Sequence, residues 1–195
     1  MTALADVDAA EHVNDAELVR EYRRDPDRFT AVYDRYFRDI HRYIAGRLDT
    51  QVADDIAAET FLIAFRKRDR FDPARGALRP WLFGIATNQV AQHRRVETRH
   101  YRALARTGPE PAVDSHENRV VTWVTAEGFH PHLARALAGL PQKERDVVLL
   151  VALGQFTHDE VAQALGIPYG TVGPRLSRAR KKLRAALHEE VSTDG

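Results

Sequence analysis

The chain has 195 residues, of which 44% are hydrophobic and 29% charged, with a formal net charge of +1, and this ordinary composition excludes an intrinsically disordered chain. It contains no cysteine, which excludes disulfides, iron–sulfur clusters and thiolate zinc sites. The N-terminus lacks the basic and apolar regions of a secretory signal, and no apolar run approaches the ~18 residues of a membrane span, so we expect a cytoplasmic protein without membrane insertion.

The first half of the chain shows helical periodicity in three stretches. Residues 1–14 are small and acidic and are expected to form a flexible tail. The stretch FTAVYDRYFRDIHRYI, from Phe29, places apolar residues at spacings of three and four. A second helical stretch, VADDIAAETFLIAFRKRDRF, begins at Val52. After a loop rich in Pro and Gly, Pro80 suits the first turn of a third helix, WLFGIATNQVAQHRRVETRHYRALA.

The third helix carries a polar stripe opposite its apolar face. The stripe consists of Asn88, Gln92, Arg95 and Arg99. Amide and guanidinium groups in a row can hold a nucleic-acid backbone and read base edges, and an aromatic such as Trp81 can stack on unpaired bases. The alternative is that Trp81 and Phe83 belong to the core, as aromatic residues at a helix start usually do.

Periodicity fades after Arg106 and returns after Pro131. The stretch TGPEPAVDSHENR has the composition of a linker, which we place at residues 106–131. Helical patterns then resume in LARALAGL, QKERDVVLLVAL and HDEVAQAL, and no alternating strand pattern occurs. The sequence therefore predicts an all-α protein with two helical domains, residues 15–105 and 132–190.

The stretch FTHDEVAQALGIPYGTVGPRLSRARKKLRAAL predicts a helix-turn-helix. Thr157 and Glu160 fit a capping box, and Gly166 suits a left-handed helix stop. The second helix is basic, and in such motifs it enters the major groove by its N-terminal end. The candidate contacts to duplex DNA are Thr171, Arg175, Ser177, Arg178, Lys181 and Lys182. The alternative is an exposed basic helix that only solubilises a bundle.

Gly173-Pro174 lies near the expected start of this second helix. Proline has no N–H to donate and disfavours helical geometry in the residue before it. We therefore expect the helix either to begin at about Thr171, with Pro174 in its first turn, or to bend at Pro174. In both cases Gly and Pro offer no side-chain donors, which shifts specific contacts to Arg175, Ser177 and Arg178.

Four stretches in this order resemble the extracytoplasmic-function (ECF) branch of bacterial sigma factors. They are FTAVYDRYFRDIHRYI, ADDIAAETFLIAFRKRDRFD, RPWLFGIATNQVAQHRR and LPQKERDVVLLVALGQFTHDEVAQALGIPYGTVGPRLSRARKKL. The resemblance implies a first domain that binds core RNA polymerase and opens and reads the −10 promoter element, and a second that reads the −35 element as duplex. It also implies an anti-sigma factor as a partner.

The resemblance assigns roles to two groups of residues. The polymerase-binding candidates are Asp54, Asp55, Glu59, Phe61 and Arg66, although the aromatic member is equally suited to the core. The −10 candidates are Trp81, Asn88, Gln92, Arg95 and Arg99, where Gln92 replaces the usual Asp. A second departure is Gly173-Pro174, which stands where the family has a basic or polar pair.

Two other functions remain open at the level of sequence. One is a helix-turn-helix regulator that acts without polymerase, and the other is a sigma-like decoy that titrates an anti-sigma factor. An enzyme is disfavoured because the chain has no HExxH spacing, no phosphate-binding glycine loop and no nucleophile motif. We expect no catalytic residue, cofactor or metal.

Overall fold

The computed structural model describes residues 15–104 and 131–191, and every regular element in these two ranges is a helix. The first range contains α1 (15–24), α2 (Thr30–Ala45), α3 (Thr50–Lys67) and α4 (Leu78–Leu104), with 3-10 turns at Pro26–Phe29 and Arg68–Arg70. The second contains α5 (Pro131–Ala138), α6 (Gln142–Ala152), α7 (His158–Leu165) and α8 (Tyr169–Val191). The all-α fold predicted from the sequence is confirmed.

Two predicted segments fall almost wholly outside the described residues. These are the acidic tail, residues 1–14, and the linker, of which only Pro131 is described, as the first residue of α5. Within the described ranges, no helix combines the length and apolar character that crossing a bilayer requires.

The first half is a bundle in which α2, α3 and α4 pack on one another. Most of the apolar stripe predicted on α2 is buried, with Val32, Tyr36, Ile40, Tyr43 and Ile44 all in the core, whereas Tyr33 is 40% exposed. Pro80 lies in the first turn of α4, where its missing N–H has no intrahelical partner to lose.

The predicted helix-turn-helix forms from α7 and α8. The capping box is complete, because Thr157 Oγ1 accepts from the Glu160 N–H while Glu160 accepts from the Thr157 N–H at 2.8 Å. Gly166 ends α7 in the left-handed conformation at φ 60°, which glycine adopts without strain. The helix α8 then buries Val172, Leu176 and Ala179 against the rest of the second half.

The expectation that the second helix begins at about Thr171 is wrong. The helix α8 begins at Tyr169 and continues through Pro174. Pro174 cannot donate to the Gly170 carbonyl, so one helical hydrogen bond is missing. Gly173 has no Cβ to clash with the proline ring, and the space around it is open, since a Cβ there would meet no atom within 4 Å. The absence of a Cβ on Gly173 thus lets α8 continue through an internal proline.

The two halves pack face to face through α4 and α7. Phe83 on α4 meets Phe156, which precedes α7, with ring centroids 4.8 Å apart. A Cβ on Gly84 would lie 2.5 Å from the carbonyl oxygen of Ala164, so only glycine permits this approach of the two helices. Most of the buried apolar residues of both halves consequently form one continuous cluster, and Leu137, Leu140 and Ala179 form a second, smaller one.

Candidate nucleic-acid and protein interfaces

The predicted duplex-binding residues lie on two sides of α8. Ser177 and Lys181 line a surface cleft of about 690 Å³ beside Phe156 and His158. Arg178 and Lys182, four residues apart, face α6 instead, as helical spacing requires. The predicted residues that remain, Thr171 and Arg175, are half-buried near the start of the helix. The basic side chains of α8 therefore point in more than one direction.

Glu144 on α6 holds Arg178 and Lys182 together. Its Oε1 accepts from Arg178 Nε at 3.3 Å and its Oε2 accepts from Lys182 Nζ at 2.8 Å. The hydrogen bond from Lys182 and the charges of both cations hold the pKa of Glu144 below its usual range. Arg178 contacts Glu144 through Nε while its side chain stays exposed, so its guanidinium is accessible to a base or phosphate.

The predicted polar stripe of α4 is exposed. Asn88, Gln92, Arg95 and Arg99 all have exposed side chains at spacings of three and four residues. Trp81 lies at the N-terminal end of the same face of α4. It is half-buried and packs on Phe71 with ring centroids 5.1 Å apart. The stripe can therefore meet a polyanion along its length, with an aromatic edge at its N-terminal end.

The predicted polymerase-binding residues on α3 divide into exposed charges and a core aromatic. Asp55, Glu59 and Arg66 are exposed, and Asp54 pairs with His41 Nε2 at 2.8 Å. Phe61 is only 4% exposed and packs edge-on against Tyr33 at 5.0 Å. Its structural role is thus to fix α3 on α2, which was the alternative for this aromatic at the level of sequence.

A cleft of about 350 Å³ lies between the two halves and collects residues from both predicted DNA-reading sets. Asn88 and Arg95 of α4 line one wall, and Arg175 of α8 lines the other together with Lys143 of α6. Three of these four side chains are cationic. The cleft is therefore a positively charged groove whose two walls come from different halves of the chain.

Asp146, the one acid among the residues that line this cleft, forms an ion pair with Arg47 between the halves. Arg47 follows α2 and is only 2% exposed, and its guanidinium donates to the carboxylate of Asp146 on α6. It also donates to the Tyr43 hydroxyl at 2.6 Å, which in turn hydrogen-bonds Thr87 of α4 at 2.8 Å. The pair is therefore embedded in a buried network that reaches α2, α4 and α6.

Two further arginines crowd this ion pair. Arg94 of α4 donates to the Arg47 carbonyl at 2.9 Å, and Arg145 donates to the Leu140 carbonyl at 2.8 Å. Burial, reinforced by the neighbouring guanidinium groups, lowers the pKa of Arg94 to about 9, and burial together with Arg47 lowers the pKa of Arg145 to about 10. Positive charge is thus concentrated where the halves meet.

Glu144, Arg145 and Asp146 are consecutive on α6, and sequence analysis identified none of them. Each is less than 9% exposed, and each faces a different neighbour: Glu144 faces α8, Arg145 the Ala138 carbonyl at the end of α5, and Asp146 faces Arg47. The helical pattern of QKERDVVLLVAL gives no signal for these partners, because Arg47 and Asp146 are 99 residues apart in the chain. Within the described ranges, no group of three or more potential metal ligands converges.

Comparison with known proteins identifies both halves. Residues 32–100 match the family Sigma-70 region 2, and residues 132–183 match Sigma-70, region 4. The ECF RNA polymerase sigma factor SigC of Mycobacterium tuberculosis is 34% identical over 154 residues, which cover 76% of this chain and 77% of that protein. The match of the first half to region 2 disfavours a regulator that uses only its C-terminal half.

Solved structures show the same fold. A structure of CnrH in complex with the cytosolic domain of CnrY has a TM-score of 0.62 at 24% identity, covering 92% of this chain and 98% of that one. The sigma factor RpoE in complex with the anti-sigma factor NepR, from Bartonella quintana, also has a TM-score of 0.62, at 21% identity, covering 82% of this chain and 96% of that one. The two matched regions, their order and the relatives together show that the chain belongs to the ECF RNA polymerase sigma factors, which bind RNA polymerase and promoter DNA.

Proposed function

We propose that the two halves of this sigma factor divide promoter recognition between them. Residues 15–105 bind core RNA polymerase through the exposed charges of α3 and open and read the −10 element along the α4 stripe. Residues 132–190 read the −35 element as duplex through α8. The protein acts in the cytoplasm as an initiation factor and not as an enzyme, because the polymerase carries out the chemistry.

The exposed stripe Asn88, Gln92, Arg95 and Arg99 is the observation that carries this proposal. Its amides and guanidinium groups stand in a row on the half that matches region 2, in reach of a separated strand. Each opened base step costs about 1.4 kcal/mol of stacking, which contacts to backbone and bases must offset. Trp81 can add a stacking contact only through its exposed edge.

Run-off transcription with core polymerase tests the proposal. The protein is combined with core enzyme on fragments of genomic DNA, and we expect discrete transcripts that neither component gives alone. Absence of transcripts on every fragment would instead support a decoy that never initiates. The exposed Arg24→Ala at the end of α1 is the control for loss of surface charge.

A pre-melted template separates the two proposed DNA contacts. Asn88→Ala and Arg95→Ala should reduce transcription from a duplex promoter. Transcription by these variants should return to the level of the natural protein on a template mismatched across the −10 element, where no strand opening is required. Arg175→Ala should be equally defective on both templates, because it acts on the duplex −35 element. Equal recovery of all three variants would contradict this division of labour.

We further propose an anti-sigma factor as a partner. The support is that RpoE, a structural relative, was solved with the anti-sigma factor NepR, and that exposed polymerase- and DNA-binding faces require occlusion when transcription is off. A small protein that co-purifies with the chain from its own cells should abolish run-off transcription when it is added back. A co-purifying protein without effect on transcription would count against this role.

A further inference from the structure

Glu144 is an acid placed among the cations of the helix proposed to read the −35 element. The stretch of α8 from Arg175 to Arg184 contains six cations and no acid. Each cation that contacts a phosphate strengthens binding to any duplex, whatever its base sequence. Such a helix favours sequence-independent binding unless part of its charge is offset. In the structure, the carboxylate of Glu144 reaches two of these cations from α6.

The two cations that Glu144 contacts are one helical turn apart on α8. The side chains of Arg178 and Lys182 are 58% and 49% exposed, whereas that of Glu144 is only 10% exposed. The carboxylate thus lies beneath two cations that solvent can still reach. The hydrogen bond from Lys182 and the charges of both cations hold the pKa of Glu144 below its usual range, so the carboxylate stays ionised at neutral pH.

The carboxylate affects the two cations in different ways. Arginine reads a guanine edge through two nitrogens at once, which requires a set orientation of the guanidinium plane. The bond from Arg178 Nε at 3.3 Å restrains that plane before DNA arrives, so less side-chain entropy is lost on binding. Lys182 gives Glu144 a bond of 2.8 Å, and the negative charge beside its Nζ repels an approaching phosphate.

The packing of α6 on α8 does not depend on Glu144 alone. Val148 of α6 and Leu183 of α8 both pack against the small apolar cluster that contains Ala179. Ala179 and Leu183 directly follow Arg178 and Lys182 in the chain, so the ion pairs border an apolar seam. Loss of the carboxylate should therefore leave the two helices in place and change mainly the behaviour of the cations above them.

We propose that Glu144 is a positioning residue for −35 recognition. It orients Arg178 for base reading and offsets the charge of Lys182, and so favours sequence-dependent over sequence-independent binding. This role rests on the proposed function, in which α8 reads the −35 element as duplex. It adds to that function a residue of α6 that acts through the side chains of α8.

The salt dependence of DNA binding tests the effect on Lys182. Binding of the full chain to a short scrambled duplex is measured by fluorescence anisotropy over a range of salt concentrations. Glu144→Gln removes the charge but keeps an amide oxygen, and the slope of the logarithm of the binding constant against the logarithm of salt concentration should steepen by ~0.9, the value for one added phosphate contact. Glu21→Gln, at an exposed acid of α1, is the matched control with the same change in net charge. In a chain that also carries Lys182→Gln, Glu144→Gln should no longer steepen the slope.

A base-substitution profile tests the effect on Arg178. Single base pairs are changed through the −35 element of a promoter found by run-off transcription, and binding of the holoenzyme to each duplex is measured. Arg178→Ala identifies the base pair that Arg178 reads, because discrimination is lost there. Glu144→Ala should lose discrimination at that same base pair by about tenfold and keep it elsewhere. A purely structural role would instead weaken binding to all these duplexes alike, which would overturn the proposal.

The outcomes separate the two effects from each other and from the proposed function. An unchanged salt slope in Glu144→Gln overturns the offset of Lys182, and an unchanged base profile in Glu144→Ala overturns the orientation of Arg178. Should circular dichroism show loss of helix content in Glu144→Ala, Glu144→Asp replaces it, because the shorter acid keeps the charge but not the reach to Arg178. Absence of any base preference in the natural holoenzyme would count against the proposed function, whereas the slope on the scrambled duplex would still decide the effect on Lys182.

Discussion

Replacement of Pro174 by alanine is expected to stabilise the protein, although proline is usually the stiffer residue. Pro174 lies inside α8, where it removes the bond to the Gly170 carbonyl and crowds the preceding turn. Proline in a helix interior costs about 3 kcal/mol relative to alanine. The alanine variant gains about 0.4–1 kcal/mol of unfolded-state freedom, which acts in the opposite direction. The net expectation is a gain of about 2 kcal/mol.

For a chain of 195 residues this gain is readily measured. One kcal/mol shifts the midpoint of thermal unfolding by about 2–4 °C at this size, so we expect a rise of about 4–8 °C. Hydrogen exchange monitored by mass spectrometry should show slower exchange in peptides covering residues 170–176. The control is Pro168→Ala: Pro168 precedes α8, so no helical bond is restored, and stability should fall by about 0.4–1 kcal/mol.

An unchanged or lowered midpoint in Pro174→Ala would refute this reasoning. It would mean that the residues before Pro174 do not form a continuous helix with those after it. A higher midpoint without slower hydrogen exchange around residue 170 would equally contradict the reasoning, because the added stability would then not come from the restored hydrogen bond to the Gly170 carbonyl.

Three other predictions concern the second half. Thr157→Ala removes the capping box of α7 and should lower the free energy of unfolding by about 1 kcal/mol. Urea unfolding should show a lower midpoint, with the same dependence of the free energy on urea concentration. Thr157→Ser keeps the capping hydroxyl and should leave the midpoint unchanged. Lys182→Ala removes the main cause of the depressed pKa of Glu144, so an NMR titration of that carboxyl should show its pKa rising. In the natural protein, the contacts of ionised Glu144 with Lys182 and Arg178 stabilise the fold above the unfolded-state pKa of Glu144. This contribution to the free energy of unfolding is lost as pH falls through the lower folded-state pKa. Gly173→Lys combined with Pro174→Ser adds a cation to a face of α8 that borders open space. Fluorescence anisotropy should show tighter binding to duplex DNA, and the slope of the logarithm of the binding constant against the logarithm of salt concentration should be steeper by ~0.9. An unchanged slope would mean that this face does not contact phosphates.

Local patterns in the sequence predicted much of the fold. The spacing of apolar residues gave α2, α3 and α4, and the chemistry of Thr157, Glu160 and Gly166 gave the boundaries of α7, because capping depends on residues that are close in the chain. The start of α8 was misjudged because the penalty of an internal proline was weighed without the missing Cβ of Gly173, which relieves the clash with the proline ring.

Sequence patterns could not predict contacts between residues that are far apart in the chain. Exposed candidates such as Asn88 and Arg95 could be named, since a polar stripe on one helix is a local property. That these residues share a cleft with Arg175 depends on how the halves pack. Asp146 gives no local signal of its partner either, because a lone acid in an amphipathic helix usually faces solvent.

The turn Glu144-Arg145-Asp146 constrains how this protein can evolve. Any substitution that rotates or shifts this turn alters the contacts of α6 with α8, with the end of α5 and with Arg47 at once, so most changes there should be pleiotropic. Gly173 and Pro174, in contrast, border open space and can vary alone. Divergence in promoter preference between paralogues should therefore accumulate on the outer surface of α8 while the interior turn of α6 stays the same.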